Sequence, residues 1–217
     1  VNCAPVLDVR TSETHDAIGD RSFGDDPAKV AALGKSFLDG MARGGVHGVI
    51  KRMPGQGRAT CDSHHDLPVV NASAKELEKD IAPFRALRGA AFAMTCHVRF
   101  DAWDINNCVT MSAKIIREVI RQQIGFSGIL MSDDLTMHAL EGEMAVRAKA
   151  CLAAGCDLVL HCSGDIAEMA SLAAALPDMA ADKVEQLAAT MAQLVAPEDV
   201  DFEALAAKRD SLLAIAA

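Results

Sequence analysis

The chain has 217 residues, 51% of them hydrophobic, with 15 Gly and 7 Pro, a balance that belongs to a folded globular protein and excludes a disordered or low-complexity chain. Its 21 Lys and Arg against 30 Asp and Glu leave a net charge of −9, with no basic cluster interleaved with aromatics, so neither nucleic acid nor an anionic membrane surface is expected as a partner. No apolar run approaches the roughly 18 residues that span a bilayer, and the N-terminus lacks the basic-then-apolar order of a secretory signal, so a soluble cytoplasmic protein is expected.

Short apolar runs alternate with longer helical patterns, the signature of repeated βα units around a parallel sheet. The first run, residues 2–9 ("NCAPVLDV"), leads into "GDRSFG", where Arg21 beside Asp20 suits either a carboxylate or sugar hydroxyls, or a surface ion pair. Residues 26–42 read as a helix with Pro27 in its first turn and an apolar face of Val30, Leu33, Phe37 and Met41. A second strand, residues 45–53, runs into the loop "IKRMPGQGRATCDSHHDLP". Pro54, Gly55 and Gly57 bend the chain where Lys51 leaves the strand. Asp62 stands two residues before His64, a spacing at which a carboxylate holds an imidazole in one tautomer; a solvated loop with two incidental histidines, His64 and His65, is the alternative.

Residues 73–87 form a helix opened by a capping box of Ser73 and Glu76, with Pro83 expected to kink or end it. A third strand, residues 90–98, carries Met94 as core and His97 as either a pocket residue or a satisfied core histidine, and the single Trp103 follows as a weak candidate for stacking on a sugar. Residues 112–123 are helical, and residues 128–135 ("GILMSDDL") are a fourth strand ending in Asp133 and Asp134. An adjacent acidic pair at the end of an apolar strand costs stability unless something uses it. Alternation points the two apart, one to a pocket and one to a cap or support; two capping carboxylates are the alternative. Residues 143–154 make a helix stopped at Gly155, residues 157–162 a fifth strand, and the Ala-rich tail from Asp165 is helical with breaks at Pro177 and Pro197.

Polar residues gather beyond the C-terminal ends of several strands, and no Gly-x-Gly-x-x-Gly follows the first. A (β/α)8 TIM-type barrel is therefore expected over an open doubly wound sheet. The seven cysteines form no Cys-x-x-Cys pair and read as free reduced thiols; Cys156, His161 and Cys162 match no common zinc spacing.

The elements "NCAPVLDV", "GDRSFG", "IKRMPGQG…DSH…LP", "AMTCHV", "GFSGILMSDDLTM" and "AAGCDLVLHC" together resemble the β-N-acetylhexosaminidases of glycoside hydrolase family 3. The resemblance implies a retaining glycosidase without metal or cofactor, acting on β-linked N-acetylglucosamine of muropeptides in peptidoglycan recycling. It implies Asp133 as nucleophile, His64 as acid/base oriented by Asp62, Asp134 as support, and Arg21, Lys51 and Arg52 at the sugar. The family loop reads Lys-His-Phe-Pro-Gly-His-Gly, whereas this chain has Arg52, Met53 and Gln56 at the His, Phe and second His positions. The family barrel also has earlier βα units, including an Asp-Gln-Glu-Gly-Gly segment. Five strands do not close an eight-stranded barrel, so residues 1–217 are expected to be a single glycosidase barrel domain lacking about three N-terminal βα units. Two rival readings are a metal-assisted barrel hydrolase using His64, His65, Asp133 and His138, and a non-catalytic sugar-binding fragment.

Overall fold

The computed structural model describes residues 1–216. Helix α1 (Pro27–Arg43) starts where Asp26 accepts the Ala28 N–H at 2.8 Å. It turns Val30 and Gly34 inward, while Leu33 and Phe37 of the expected apolar face are 41% and 43% exposed. The cause is Gly34: an added Cβ there would overlap the Leu7 side chain, so the helix seats on its glycine and the buried stripe shifts by one position.

Strand β1 (Val49–Met53) follows, then the short β2 (Val69–Val70). Helix α2 (Ala74–Ala86) has the expected capping box, Ser73 accepting from Glu76 N and Glu76 accepting from Ser73 N. Pro83 lies within its last turn, and the helix runs only three residues further. Strands β3 (Phe92–Thr95) and β4 (Arg99–Phe100) come next, then helix α3 (Ala113–Ile115), capped by Ser112. The expected single helix widens at once into π-helical turns over Ile116–Ile124, stopped at Gly125, whose φ of 80° suits glycine. Strand β5 (Ile129–Asp134), helix α4 (Met144–Ala154), strand β6 (Leu158–Leu160) and helices α5 (Ile166–Ala175), α6 (Ala181–Met191) and α7 (Phe202–Ala216) complete the described chain.

The main sheet is parallel, in the order β1-β3-β5-β6, and β2 pairs with β4 in a separate two-stranded ladder that the sequence reading missed. Residues 2–9 contribute less than a full strand. They bridge β1 only at Asn2–Gly48 and Val6–Lys51, because the Ala4 N–H turns back to the Asn2 carbonyl and Pro5 has no N–H to give. One sheet face, with Ile50, Ala93 and Leu130, packs into the main core that also holds Val30, Leu77, Ile81, Phe84, Ile116 and Ile120 from the helices. The other buries Val49, Phe92, Met94, Ile129 and Met131, with Leu187 of α6 against it. Helix α6 lies across the N-terminal ends of the strands: Lys183 pairs with Asp157 at 2.9 Å, Gln186 donates to Ser127 O at 3.0 Å, and Thr190 O meets His47 Nε2 at 2.8 Å. This parallel α/β arc is of TIM-barrel type, and its C-terminal strand ends carry the polar residues.

Both strands that carry the central site residues slip register near their C-terminal ends. In β1, Ile50 pairs with Ala93 but Met53 with Thr95; in β5, Met131 pairs with Leu158 but Asp134 with Leu160. Each slip inserts one extra residue, at Lys51–Arg52 and at Ser132–Asp133, and a bulge re-aims the side chains on it.

Candidate active site

The two bulges face each other across the sheet. Arg52 Nε lies 2.5 Å from Asp133 Oδ2, and both residues are buried, 7% and 4% exposed. The other Asp133 oxygen, Oδ1, accepts the Asp134 N–H at 3.0 Å. Asp134 itself turns away: it accepts from Thr136 N at 3.0 Å and Cys162 N at 3.1 Å, tying the strand end to the loop after β6. The adjacent carboxylates therefore separate into one aimed at Arg52 and one used as a strut.

Beneath Arg52 sits Asp8, fully buried, whose Oδ1 accepts from Gln56 N at 2.7 Å and Arg52 N at 3.3 Å. Burial pushes the Asp8 carboxyl above its usual value, more than the Gln56 N–H and the Arg52 charge pull it down. Asp8 Oδ2 and Gln56 Oε1 are both buried and have no hydrogen-bond partner among the described residues. Sequence reasoning passed over Asp8, although "VLDV" places a carboxylate in an apolar run just as "LMSDDL" does.

A carboxyl whose folded pKa is raised loses stability as pH rises from its unfolded value through the folded one. Asp8→Asn, which keeps the shape without the charge, is expected to match the wild type in urea midpoint at pH values below the usual carboxylate range and to exceed it as pH rises above that range. A wild-type protein that instead gains on the Asn variant with rising pH contradicts the upward shift of the Asp8 carboxyl.

The loop after β1 is held at several points. Arg58 pairs with Asp80 of α2 at 2.8 Å, Thr14 Oγ1 donates to Gly57 O at 2.5 Å, and Gln56 Nε2 donates to Ser63 Oγ at 3.1 Å. Its tip brings Asp62 and His64 together: Asp62 Oδ1 lies 2.7 Å from His64 Nδ1 and accepts the His64 backbone N–H at 3.0 Å. That backbone N–H, then the imidazole itself, holds the Asp62 carboxyl below the usual range. An ionised carboxylate only accepts, so Nδ1 donates a proton to it and Nε2 is the nitrogen left free to give or take one. The ring is exposed, and the His64 carbonyl accepts the His138 N–H at 3.4 Å, joining this loop to the one that follows Asp133.

Asp62→Asn removes the charge that orients this ring. For the glycosidase activity that the sequence resemblance implies, a fall in kcat of about 10- to 100-fold with KM nearly unchanged is expected, measured by steady-state hydrolysis of an aryl glycoside. An unaltered kcat would leave His64 without need of its partner.

Lys51 is half-buried at the same strand end, and burial, then the charge of Arg52, pulls its amine below the usual value. Arg21 is exposed and donates to the Ala17 carbonyl. Of the three residues expected at the sugar, Arg52 thus differs: its Nε is committed to Asp133. His97 is fully buried, with Nε2 at 2.9 Å from Asp134 O and Nδ1 at 2.8 Å from Thr110 Oγ1. Burial lowers its pKa, so it is a neutral core histidine holding the β5 end in place. Trp103 packs on Phe100 with ring centroids 5.0 Å apart and belongs to the core. All seven cysteines are free, and no group of three or more His, Cys, Asp and Glu is arranged to hold a metal ion among the described residues.

The family model described as "Glycosyl hydrolase family 3 N terminal domain" matches residues 1–196. A beta-hexosaminidase from Tolumonas auensis is 39% identical over 193 residues, covering 86% of this chain and 57% of that protein. Among solved structures, native NagZ from Neisseria gonorrhoeae superposes with a TM-score of 0.76 at 33% identity, covering 94% of this chain and 57% of that one. A family 3 beta-N-acetylglucosaminidase from Paenibacillus sp. FPU-7 gives a TM-score of 0.77 at 30% identity, covering 93% of this chain and 42% of that one. The chain thus spans about half the length of the curated relatives it matches. With the matched model extending over most of the chain and the carboxylate, imidazole and loop in place on parallel strand ends, the chain belongs to glycosyl hydrolase family 3, within that family's N-terminal domain.

Proposed function

We propose that the protein hydrolyses terminal β-linked N-acetylglucosamine with retention of configuration, through a covalent ester on Asp133. The observation that carries this reading is the pairing of Asp62 with His64 on a loop tied by its own backbone to the loop following Asp133. His64, starting as the imidazolium with its Nδ1–H kept on Asp62, gives its Nε2 proton to the departing oxygen as Asp133 attacks the anomeric carbon; water then attacks that carbon, returns a proton to Nε2 and releases the carboxylate. Lys51 and Arg21, on the same rim, bind the sugar hydroxyls. The beta-hexosaminidase and beta-N-acetylglucosaminidase names of the relatives support the substrate class. Muropeptides of peptidoglycan recycling are the proposed natural substrates, and seven free thiols fit a reducing cytoplasm.

The active form, in this proposal, includes about three βα units before residue 1, which close the gap between residues 2–9 beside β1 and strand β6 and complete the barrel. Release of the chromophore from a nitrophenyl β-N-acetylglucosaminide by the full-length protein, including after exhaustive chelation, tests the activity. Binding of N-acetylglucosamine without any turnover would select the non-catalytic sugar-binding reading; activity abolished by chelation would select the metal-assisted one.

A further inference from the structure

The ion pair between Arg52 and Asp133 has a consequence for the rate of each half of the reaction, given the reading of Asp133 as nucleophile. Arg52 stands where the resembled loop has histidine, and the register slip at Lys51–Arg52 turns its side chain across to β5. Its Nε contacts one oxygen of Asp133 at 2.5 Å while the Asp134 N–H holds the other at 3.0 Å, so both oxygens of the attacking group are engaged. Neither residue is more than 7% exposed, which leaves little water to screen the pair. Around it lie Asp8 below Arg52, Lys51 beside it, and the buried Cys96 and His97 on the strand end between β1 and β5.

The carboxylate charge that Arg52 pairs with is whole in the free enzyme, partly spent at the transition state of attack, and gone in the ester. A cation fixed on that charge stabilises the starting state more than the transition state of ester formation, because only interactions that strengthen on the way to a transition state accelerate a step. The same cation stabilises the carboxylate as it leaves during hydrolysis of the ester. Arg52 keeps its proton throughout. In the first half the bond from the anomeric carbon to the aglycone oxygen breaks, the bond to Asp133 forms, and the proton moves from His64 to the aglycone. In the second half water replaces Asp133, its proton passes to His64, and the electron pair returns to the carboxylate facing Arg52.

We propose that Arg52 sets the balance between the two halves: it restrains attack by Asp133 and assists its departure, so that formation of the glycosyl-enzyme limits turnover. Arg52 is a positioning residue in this role, acting through Asp133. A merely structural Arg52 would lower both halves together and leave their ratio unchanged.

The test is pre-steady-state hydrolysis of a series of substituted phenyl β-N-acetylglucosaminides by the full-length protein. The wild type is expected to show no burst and a kcat that rises with leaving-group acidity. Arg52→His is expected to form ester at least about tenfold faster, to show a burst approaching one equivalent, and to have a kcat indifferent to the leaving group. Arg52→Lys, which keeps the cation, is expected to stay burst-free. A burst in the wild type overturns the proposal without recourse to any variant. Covalent labelling by a 5-fluoro-N-acetylglucosaminyl fluoride, read by intact mass, separates this proposal from the one beneath it. Label on wild type and Arg52→His at equal rates overturns the role of Arg52 alone, whereas no label on either overturns the nucleophile assignment and this role with it.

Discussion

Asp133→Ala is expected to lower kcat by about 10,000-fold or more, because the other carboxylates of the site are engaged elsewhere, Asp62 with His64 and Asp8 with the Gln56 and Arg52 N–H groups. Asp134 is next in sequence but is held by Thr136 and Cys162 and cannot turn to substitute for it. The same change strips Arg52 of its partner while leaving the guanidinium 7% exposed, so a loss of about 3 kcal/mol in unfolding free energy is expected alongside the loss of activity. Asp133→Asn separates the two effects. Its amide oxygen still accepts from Arg52, so much of the stability returns, while a neutral amide is no nucleophile and turnover stays lost. Chromogenic assay and urea unfolding of both variants check this; turnover within tenfold of wild type in either would remove Asp133 from the reaction.

Gly57→Ala is expected to be the most damaging small substitution in the loop. A Cβ on Gly57 would overlap the Val9 carbonyl oxygen and come within 2.7 Å of its carbon, and both are backbone atoms that cannot rotate away. The loop must then lift from the strand end, pulling Gln56 from Asp8 and carrying Asp62 and His64 with it. Overpacking against backbone puts the cost at about 3 kcal/mol or more, and displacement of the imidazole from its working position puts the loss in kcat at about 100-fold or more. Gly40→Ala in α1 is the matched control: nothing lies within 4 Å of the added carbon. Its helix propensity gain predicts about 0.5 to 1 kcal/mol of added stability. Equal effects of the two on thermal midpoint would show that the approach to Val9 is not the controlling contact.

The main strands were legible because parallel strands buried on both faces read as continuous apolar runs, and β1, β3, β5 and β6 all fall within the expected runs. The capping box at Ser73 and the stop at Gly155 were equally direct, since each is a local contact specified within a few residues. What failed depended on contacts distant in sequence. The buried stripe of α1 follows Gly34 against Leu7, which periodicity alone does not weigh, so Leu33 and Phe37 came out on the wrong side. Strands β2 and β4, of two residues each, are too short for any period.

The site was legible to a similar depth. Asp62 and His64 are neighbours in the chain, and their contact follows from spacing; alternation along the strand likewise points the Asp133 and Asp134 side chains apart, as they are found. The aim of Arg52 was not, because strict alternation along β1 ignores the extra residue inserted at Lys51–Arg52, and a bulge shows only when two strands are paired. Asp8 was missed for want of a partner in sequence: its contacts with Arg52 and Gln56 cross more than forty positions.

The most direct test of the account is the configuration of the first sugar released. Proton NMR of the full-length protein acting on an aryl β-N-acetylglucosaminide, followed from the first minutes before mutarotation, is predicted to show the β anomer of N-acetylglucosamine first, with the α anomer growing in later. Initial release of the α anomer would mean single displacement by water and would contradict an ester on Asp133.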